Sequence, residues 1–352
     1  MRVVKFGGTS MGCTDAVIAA KNIVQSDSSR RFVVVSAPGR ACKHSRKVTD
    51  LLIEAHTQLC VGERSDSLEL ALGRFSEMAG HLGVDMKAEI ERTREEIHIN
   101  RCQRDFIVSR GEYLMSILMA KLLGFTFIDA TKLIVIKKNG KLDERATRES
   151  FARLHVGRAV MGGFFGRGVD GGVRTFPRGG SDYSGAIVAA MLGADVYENF
   201  TDTHGIQSAN PIIVEGTRTV TSIDYKSLHK LSLGGAYVIF PDCLPLLKSA
   251  GVPIVIDNTF APGERNTLVS SKKAGERFFS ITHENRRNIA KNMAEVLVVM
   301  CGMKFDYEQL RASMAGLEVY VTSFKKCEIK LLVCQSVVPE VIKRLHATLK
   351  LV

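Results

Sequence analysis

Val3 to Gly12 reads VVKFGGTSMG. A short apolar run carrying one lysine, Lys5, gives way to two glycines, Gly7 and Gly8, and then to two hydroxyl residues, Thr9 and Ser10. Beyond it Ala16, Val17, Ala20, Ile23 and Val24 fall at helical spacing, so the stretch joins a buried strand to an amphipathic helix. The glycines would let backbone N–H groups approach an anion at the positive end of that helix. Lys5 could supply a point charge to phosphate oxygens. The lysine precedes the glycines, which departs from both GxGxxG and GxxxxGK[ST]. A phosphate-handling loop and a plain strand–helix turn are both consistent with these ten residues.

The same alternation continues along the chain. Buried-type strands are expected at Val3–Phe6, Phe32–Ser36, Thr126–Asp129, Ala159–Phe164, Val196–Asp202 and Pro253–Asp257. Helices are expected at about Val48–Val61, Gly111–Leu123, Asp182–Leu192 and Asp242–Ala250. Continuous apolar strands alternating with helices predict an α/β fold, a mainly parallel sheet covered on both faces. Ligands of such sheets collect at the carboxyl ends of the strands. Around Ser270–Gly275 the chain turns small and polar, as a linker does. After it come strands at Phe278–Thr282 and Glu295–Met300, a helix at Asp306–Ala315, strands at Leu317–Thr322 and Glu328–Cys334, and a helix at Val337–Leu349, a small α+β unit.

Composition narrows the function classes. The 352 residues carry a formal net charge of +11, yet lysine and arginine are spread along the chain without a basic arm or aromatic-basic module. That bias fits small anionic substrates better than a specific nucleic-acid surface. Eight cysteines without a CxxC pair fit reduced thiols and neither a disulfide frame nor a zinc site. No apolar run spans a bilayer and the N-terminus enters a strand at once, so a cytoplasmic protein without membrane partners is expected. There is no GxSxG elbow and no HExxH.

Four further loops could carry chemistry. Arg178-Gly179-Gly180-Ser181-Asp182 stands before a helix rich in Ala, Gly and Ser. Its glycines expose donors, Ser181 or Asp182 could cap the helix, and Arg178 offers a planar fork for a carboxylate or phosphate. Asp182 could hold a lysine or a magnesium-bound phosphate. Glu112, in SRGEYLMSILMAKLLG from Ser109, is placed in the first turn of its helix, where a dipole role and ligand contact weigh about equally. Thr201-Asp202 ends a strand, which suits a nucleotide or an Asx-type turn. Ser36 and Thr49 flank a basic loop with the character of a substrate lid.

Taken in order, these pieces resemble the aspartokinases of the amino-acid kinase family. The resemblance is carried by Lys5-Phe6-Gly7-Gly8-Thr9-Ser10, Ser36-Ala37-Pro38-Gly39, Arg110-Gly111-Glu112, Arg178 to Asp182, Thr201-Asp202 and Asn258-Thr259-Phe260. It spans nearly all of residues 1 to 270, and SAPG, SRGEYL and YENFTD are similar to the clostridial-type branch. It implies ATP-dependent phosphorylation of L-aspartate, with Mg2+ held through the ATP phosphates and no metal ligands from the protein. Lys5 and Asp182 would be the catalytic pair. Thr49, Glu112, Arg178, Gly179, Gly180 and Ser181 would bind aspartate, Arg178 at its α-carboxylate and Glu112 at its amino group. Gly7, Gly8, Thr9, Ser10, Thr201, Asp202 and Tyr237 would border the nucleotide.

The chain departs from the family on the nucleotide side and at the tail. Where many members read TDxxGxxxxDPR, it carries Asn210 and Ile212 in place of the Asp and Arg, and Tyr237 stands where a lysine is common. These losses keep open a second reading, a degenerate member that binds ligand without turnover and serves as a regulatory subunit. The resemblance divides the chain into a catalytic domain, 1–272, and one ACT-like module, 276–352, where relatives carry two. It implies a homodimer through that module and weak or absent inhibition by lysine.

Overall fold

The computed structural model describes residues 1–351 apart from Lys43, Val156, Arg178, Tyr237, 272–276 and 286–291. It resolves into two compact units, Met1–Asp202 with Asn258–Pro262, and Thr203–Asp257 with Gly263–Val352.

In the first unit the chain runs β1 (Arg2–Phe6), α1 (Thr14–Gln25), β2 (Arg30–Val35), α2 (Val48–Cys60), α3 (Asp66–Leu82), α4 (Lys87–Ile99) and α5 (Arg104–Leu123). There follow β3 (Thr126–Ile128), β4 (Val135–Ile136), α6 (Glu144–Ala152), β5 (Ala159–Gly162), β6 (Phe165–Gly168), β7 (Val173–Thr175), α7 (Gly180–Met191) and β8 (Val196–Thr201). Five strands form a parallel sheet in the order β8-β1-β2-β5-β3. Val3, Val4, Phe6, Val33, Val34, Val35, Val160 and Met161 are fully buried, adjacent residues included, so both faces of the sheet are covered. Helix α5 packs on β5, β2 and β3, and α7 packs on β1, β8 and β2. The expected α/β architecture is the one observed.

Three local expectations are corrected. Helix α5 begins at Arg104 and not at Gly111, which leaves Glu112 in mid-helix with no role at the helix dipole. Gly111 is a buried helical residue kept small by its neighbours: a Cβ there would lie 2.8 Å from Ala37 Cβ and 3.2 Å from Val48 Cγ1. The run expected as one strand over Ala159–Phe164 is β5 and β6 separated by a turn, at which Phe164 takes φ of 75°. Helix α7 starts at Gly180 behind Gly179, in left-handed conformation at φ 77°, with no side-chain cap, so neither Ser181 nor Asp182 caps it. Helices α3 and α4 were not anticipated. Leu68, Ala71, Leu72, Phe75, Met78 and Ala79 give α3 an apolar face at helical spacing, which was the available signal.

The second unit contains β9 (Ile206–Gln207), β10 (Thr219–Val220), β11 (Ser222–Asp224), α8 (Tyr225–Leu233), α9 (Cys243–Ser249), β12 (Ile254–Asn258) and β13 (Thr267–Ser270). It continues with β14 (Phe278–Asn285), β15 (Met293–Cys301), α10 (Tyr307–Ser313), β16 (Val319–Lys325), β17 (Glu328–Cys334) and α11 (Val338–Lys350). Strands β14-β15-β17-β16 make an antiparallel sheet, the small α+β element expected at the C-terminus. On α11, Val338, Val341, Ile342, Leu345 and Leu349 recur at helical spacing and bury against Val296, Val298, Ile329 and Leu331 of the sheet. Asp306 closes a capping box with Gln309 that starts α10. Among the described residues no helix is long and apolar enough to cross a membrane.

Candidate active site

The turns after β1, β2 and β5 converge with the start of α7 on one cleft of about 970 Å³ in the first unit. This is the carboxyl end of the parallel strands, where such sheets place ligands. Gly8 and Thr9, Ser36 to Gly39, Thr49, Glu112, Phe164 and Gly179 to Ser181 line it. Arg40, Lys47 and Arg104 at its wall supply positive charge for an anion.

The loops after β1 and β2 are locked together by close backbone contact. The Gly39 N–H donates to the Gly8 carbonyl at 2.8 Å, and a Cβ on Gly39 would fall 2.6 Å from the Gly8 carbonyl atoms. Glycine is required here by space, not by φ. Ser36 Oγ donates to Ser181 Oγ at 2.7 Å, tying the second loop to the first turn of α7. With no side-chain cap on α7, the N–H groups of Gly180 and Ser181 lie at the helix's positive end beside the cleft.

Lys5 and Asp182 form the charged centre. Lys5, at the end of β1, is 5% exposed, and its Nζ lies 2.5 Å from Asp182 Oδ1 in the first turn of α7. A Cβ at Gly7 would lie 3.4 Å from Lys5 Nζ, so the ammonium sits directly beneath the glycine turn. The lysine expected as one partner of Asp182 is Lys5. Asn199, paired in register with Lys5 on β8, is 1% exposed, and its Oδ1 has no hydrogen-bond partner. The sequence reading did not single it out; its place beside Lys5 appears only when β1 and β8 are paired.

Glu112 lines the cleft from α5 and is 5% exposed. Burial pushes its carboxyl up to about 8, against a hydrogen bond from the Ala37 N–H that favours the ionised form. Its Oε2 has no hydrogen-bond partner. A buried carboxyl with an open oxygen facing a cleft is a seat for a cationic group. Arg110, two residues earlier, does not reach the cleft. Its guanidinium stacks on Phe106 and Tyr113 at 4.4 and 4.2 Å and bonds to Ser109 and the Phe106 carbonyl, and burial lowers its pKa.

The remaining candidates divide by position. Ser10 is fully buried, with its hydroxyl 2.6 Å from that of Thr259, and Thr259 N–H donates to Thr201 O. These three residues brace the first loop against the end of β8. Thr201 Oγ1 donates to the exposed Asp202 carboxylate at 3.2 Å, a local contact at the strand end. Arg178 and Tyr237 lie outside the described residues.

The sequence profile of the amino acid kinase family matches residues 1–258. Aspartokinase 3 of Bacillus subtilis is 34% identical over 294 residues, covering 78% of this chain and 64% of that protein. Lysine-sensitive aspartokinase 3 of Escherichia coli is 28% identical over 301 residues, covering 79% and 66%. The chain thus spans a little under two thirds of the length of these curated relatives. Among solved structures, an aspartate kinase of Clostridium acetobutylicum superposes with a TM-score of 0.86 at 26% identity, covering 99% of this chain and 100% of that one. Escherichia coli aspartokinase III in complex with aspartate and ADP shares the fold, at a TM-score of 0.82 and 20% identity over 99% and 100% of the two chains.

Proposed function

The chain belongs to the amino acid kinase family, and we propose that it transfers the γ-phosphoryl group of ATP to the β-carboxylate of L-aspartate, giving 4-phospho-L-aspartate and ADP. A β-carboxylate oxygen attacks the γ-phosphorus while the bond to the β,γ-bridging oxygen breaks, and ADP departs with that oxygen. The carboxylate is ionised at neutral pH, its pKa being about 4, so no general base is needed. The work is to bring two anions together and offset charge on the transferring group.

The observation that carries this reading is the joint placement of Lys5 under the Gly7-Gly8 turn and Glu112 in the adjoining cleft. Lys5, oriented by Asp182, would meet the transferring phosphoryl group, with the amides around Gly7, Gly8 and Thr9 beside the phosphates. Glu112 would receive the ammonium of aspartate, and Arg178 its α-carboxylate. Thr49, Gly179, Gly180 and Ser181 would hold the substrate by hydrogen bonds. Thr201, Asp202 and Tyr237 would border the nucleotide, with Ser10 supporting the loop from beneath. Magnesium belongs with the ATP phosphates. Asp182 and Asp202 offer single carboxylates, and among the described residues no cluster of three or more His, Cys, Asp or Glu is placed to hold an ion. The ion would supply charge neutralisation of the triphosphate.

We assign 1–272 to the catalytic domain and 276–352 to one ACT-like module that pairs two chains. Support for pairing comes from the outer strand β16, where Tyr320 and Val321 are 52% and 37% exposed. A cytoplasmic setting follows from the use of ATP and from eight free cysteines.

One observation favours a non-catalytic member of the family: Ile212, where the motif of many members has arginine, is 92% exposed and brings no charge. Purified protein with ATP, magnesium and L-aspartate, trapped with hydroxylamine, separates the two. Hydroxamate that disappears in Lys5→Ala supports the kinase. Aspartate binding without hydroxamate would overturn it in favour of the ligand-binding reading.

A further inference from the structure

The second unit holds another cavity, of about 230 Å³, that phosphoryl transfer to aspartate does not use. Its walls come from the β9–β10 hairpin, the first residues of β14 and the end of α11. Arg218, Arg277 and Lys350 line it, Arg218 and Lys350 from two different elements, and none of the residues lining it is an Asp or Glu. Ser208, on the same wall, accepts the Arg218 N–H at 3.0 Å and lies 2.9 Å from Nε2 of the buried His346, which fixes the hairpin against α11. Lys350 Nζ donates to the Gly216 carbonyl at 3.1 Å, two residues from Arg218. Both charges act on His346: burial lowers its pKa first, and Lys350 and Arg218 lower it further. The buried Phe278 and Leu349 supply an apolar floor.

Like charges gathered at a half-enclosed apolar floor, without a carboxylate in the lining, are relieved by an anion. The volume lies below the ordinary range for drug-sized ligands of about 300–1,000 Å³ and suits a small metabolite. We infer that this cavity binds a small organic anion, its carboxylate or phosphate head between Arg218 and Lys350 and a short carbon skeleton against Phe278 and Leu349. The site shares no residue with the aspartate cleft and does not depend on the kinase reading.

The chain has no tryptophan, so Phe279→Trp, at the wall of this cavity, gives a fluorescence signal from it alone. The full-length variant is titrated with inorganic phosphate and with butyrate. A saturable change in emission is expected, at least tenfold weaker when Arg218→Gln and Lys350→Gln are combined. Tighter binding of phosphate assigns a phosphate head, and tighter binding of butyrate a carboxylate head. Calorimetric titration of the protein without the tryptophan, against the same double variant, guards against a perturbed Phe279 position. No saturable response to either probe, or an equal response from the double variant, overturns the proposal.

Discussion

Lys5 Nζ and Asp182 Oδ1 lie 2.5 Å apart, joining the end of β1 to the first turn of α7 across 177 positions of sequence. Both side chains are shielded, at 7% and 18% exposure, so each compensates the other for leaving water. Removing either has a different consequence. Lys5→Ala deletes the charge nearest the glycine turn and is expected to lower kcat by about 10²–10³-fold or more, the scale of a lost preorganised donor. Asp182→Ala leaves the lysine without that partner and is expected to cost about 2–4 kcal/mol in urea unfolding. The double variant Lys5→Met with Asp182→Leu should recover part of that loss while remaining inactive. An Asp182→Ala protein as stable as the parent would show that the pair does not fix Lys5.

Glu112 predicts a pH dependence of substrate affinity. Its carboxyl sits at about 8 in the empty cleft, so at neutral pH it is mostly protonated, and an incoming ammonium must draw off that proton. Aspartate affinity should therefore rise up to tenfold per pH unit between about pH 6.5 and 8 and level off above. Glu112→Gln should flatten the profile and weaken binding by about 10-fold or more at pH 8.5, where a charge-assisted bond is lost. Stability of the ligand-free protein moves the opposite way. With the folded value raised above the ordinary 4.5, this group favours the folded state most fully below about pH 4.5, and the contribution is lost as pH rises through about 8. Glu112→Gln should remove that slope in unfolding experiments run across the same range.

Much of this was legible in the sequence because strands buried on both faces announce themselves as unbroken apolar runs. β1 and β2 fall within a residue or two of expectation, and their order with the later strands gave the parallel sheet. The Lys5–Asp182 pair was one of two roles foreseen for Asp182. What escaped was set by contacts between distant segments. The helix was expected to start at Gly111, while the reason for a glycine inside α5 lies in Ala37 and Val48, more than sixty residues upstream. Asn199 gains meaning only from its register with Lys5. Helix α4, with Ile90, Thr93 and Ile97 its only buried residues in a charged sequence, offers a thin apolar stripe that composition hides.

Gly111→Ala sets two magnitudes against each other. An alanine in mid-helix gains about 1 kcal/mol of propensity. The added Cβ, however, meets Ala37 Cβ at 2.8 Å and Val48 Cγ1 at 3.2 Å, and overpacking of this kind costs about 1–3 kcal/mol. Ala37 cannot turn aside, because its Cβ is fixed by the backbone, so strain should win. The net loss of stability should be modest, up to about 2 kcal/mol. Binding should suffer more: the Ala37 N–H that bonds Glu112 would move with the loop, and KM for aspartate should rise with little change in kcat. A variant more stable than the parent, with unchanged KM, would show that α5 and the loop are free to separate.

Gly39→Ala tests whether the contact between the two loops is needed to bind the phosphates. Its Cβ would overlap the Gly8 carbonyl carbon and oxygen at 2.6 Å and crowd the Thr9 nitrogen at 2.9 Å. These are backbone atoms, so relief requires moving the turn that covers Lys5 and breaking the Gly39–Gly8 hydrogen bond. kcat/KM for ATP should fall by about 10-fold or more, since small misplacement of positioning groups is costly, and the melting temperature should drop by a few degrees. Gly80→Ala is the matched control. Gly80 lies within α3 with nothing inside 4 Å of its would-be Cβ, so the same substitution there should add up to about 1 kcal/mol of stability and leave activity alone. If both variants behave alike, glycine at 39 serves chain flexibility in general; if only Gly39→Ala loses nucleotide affinity, the close approach of the two loops is what shapes the phosphate site.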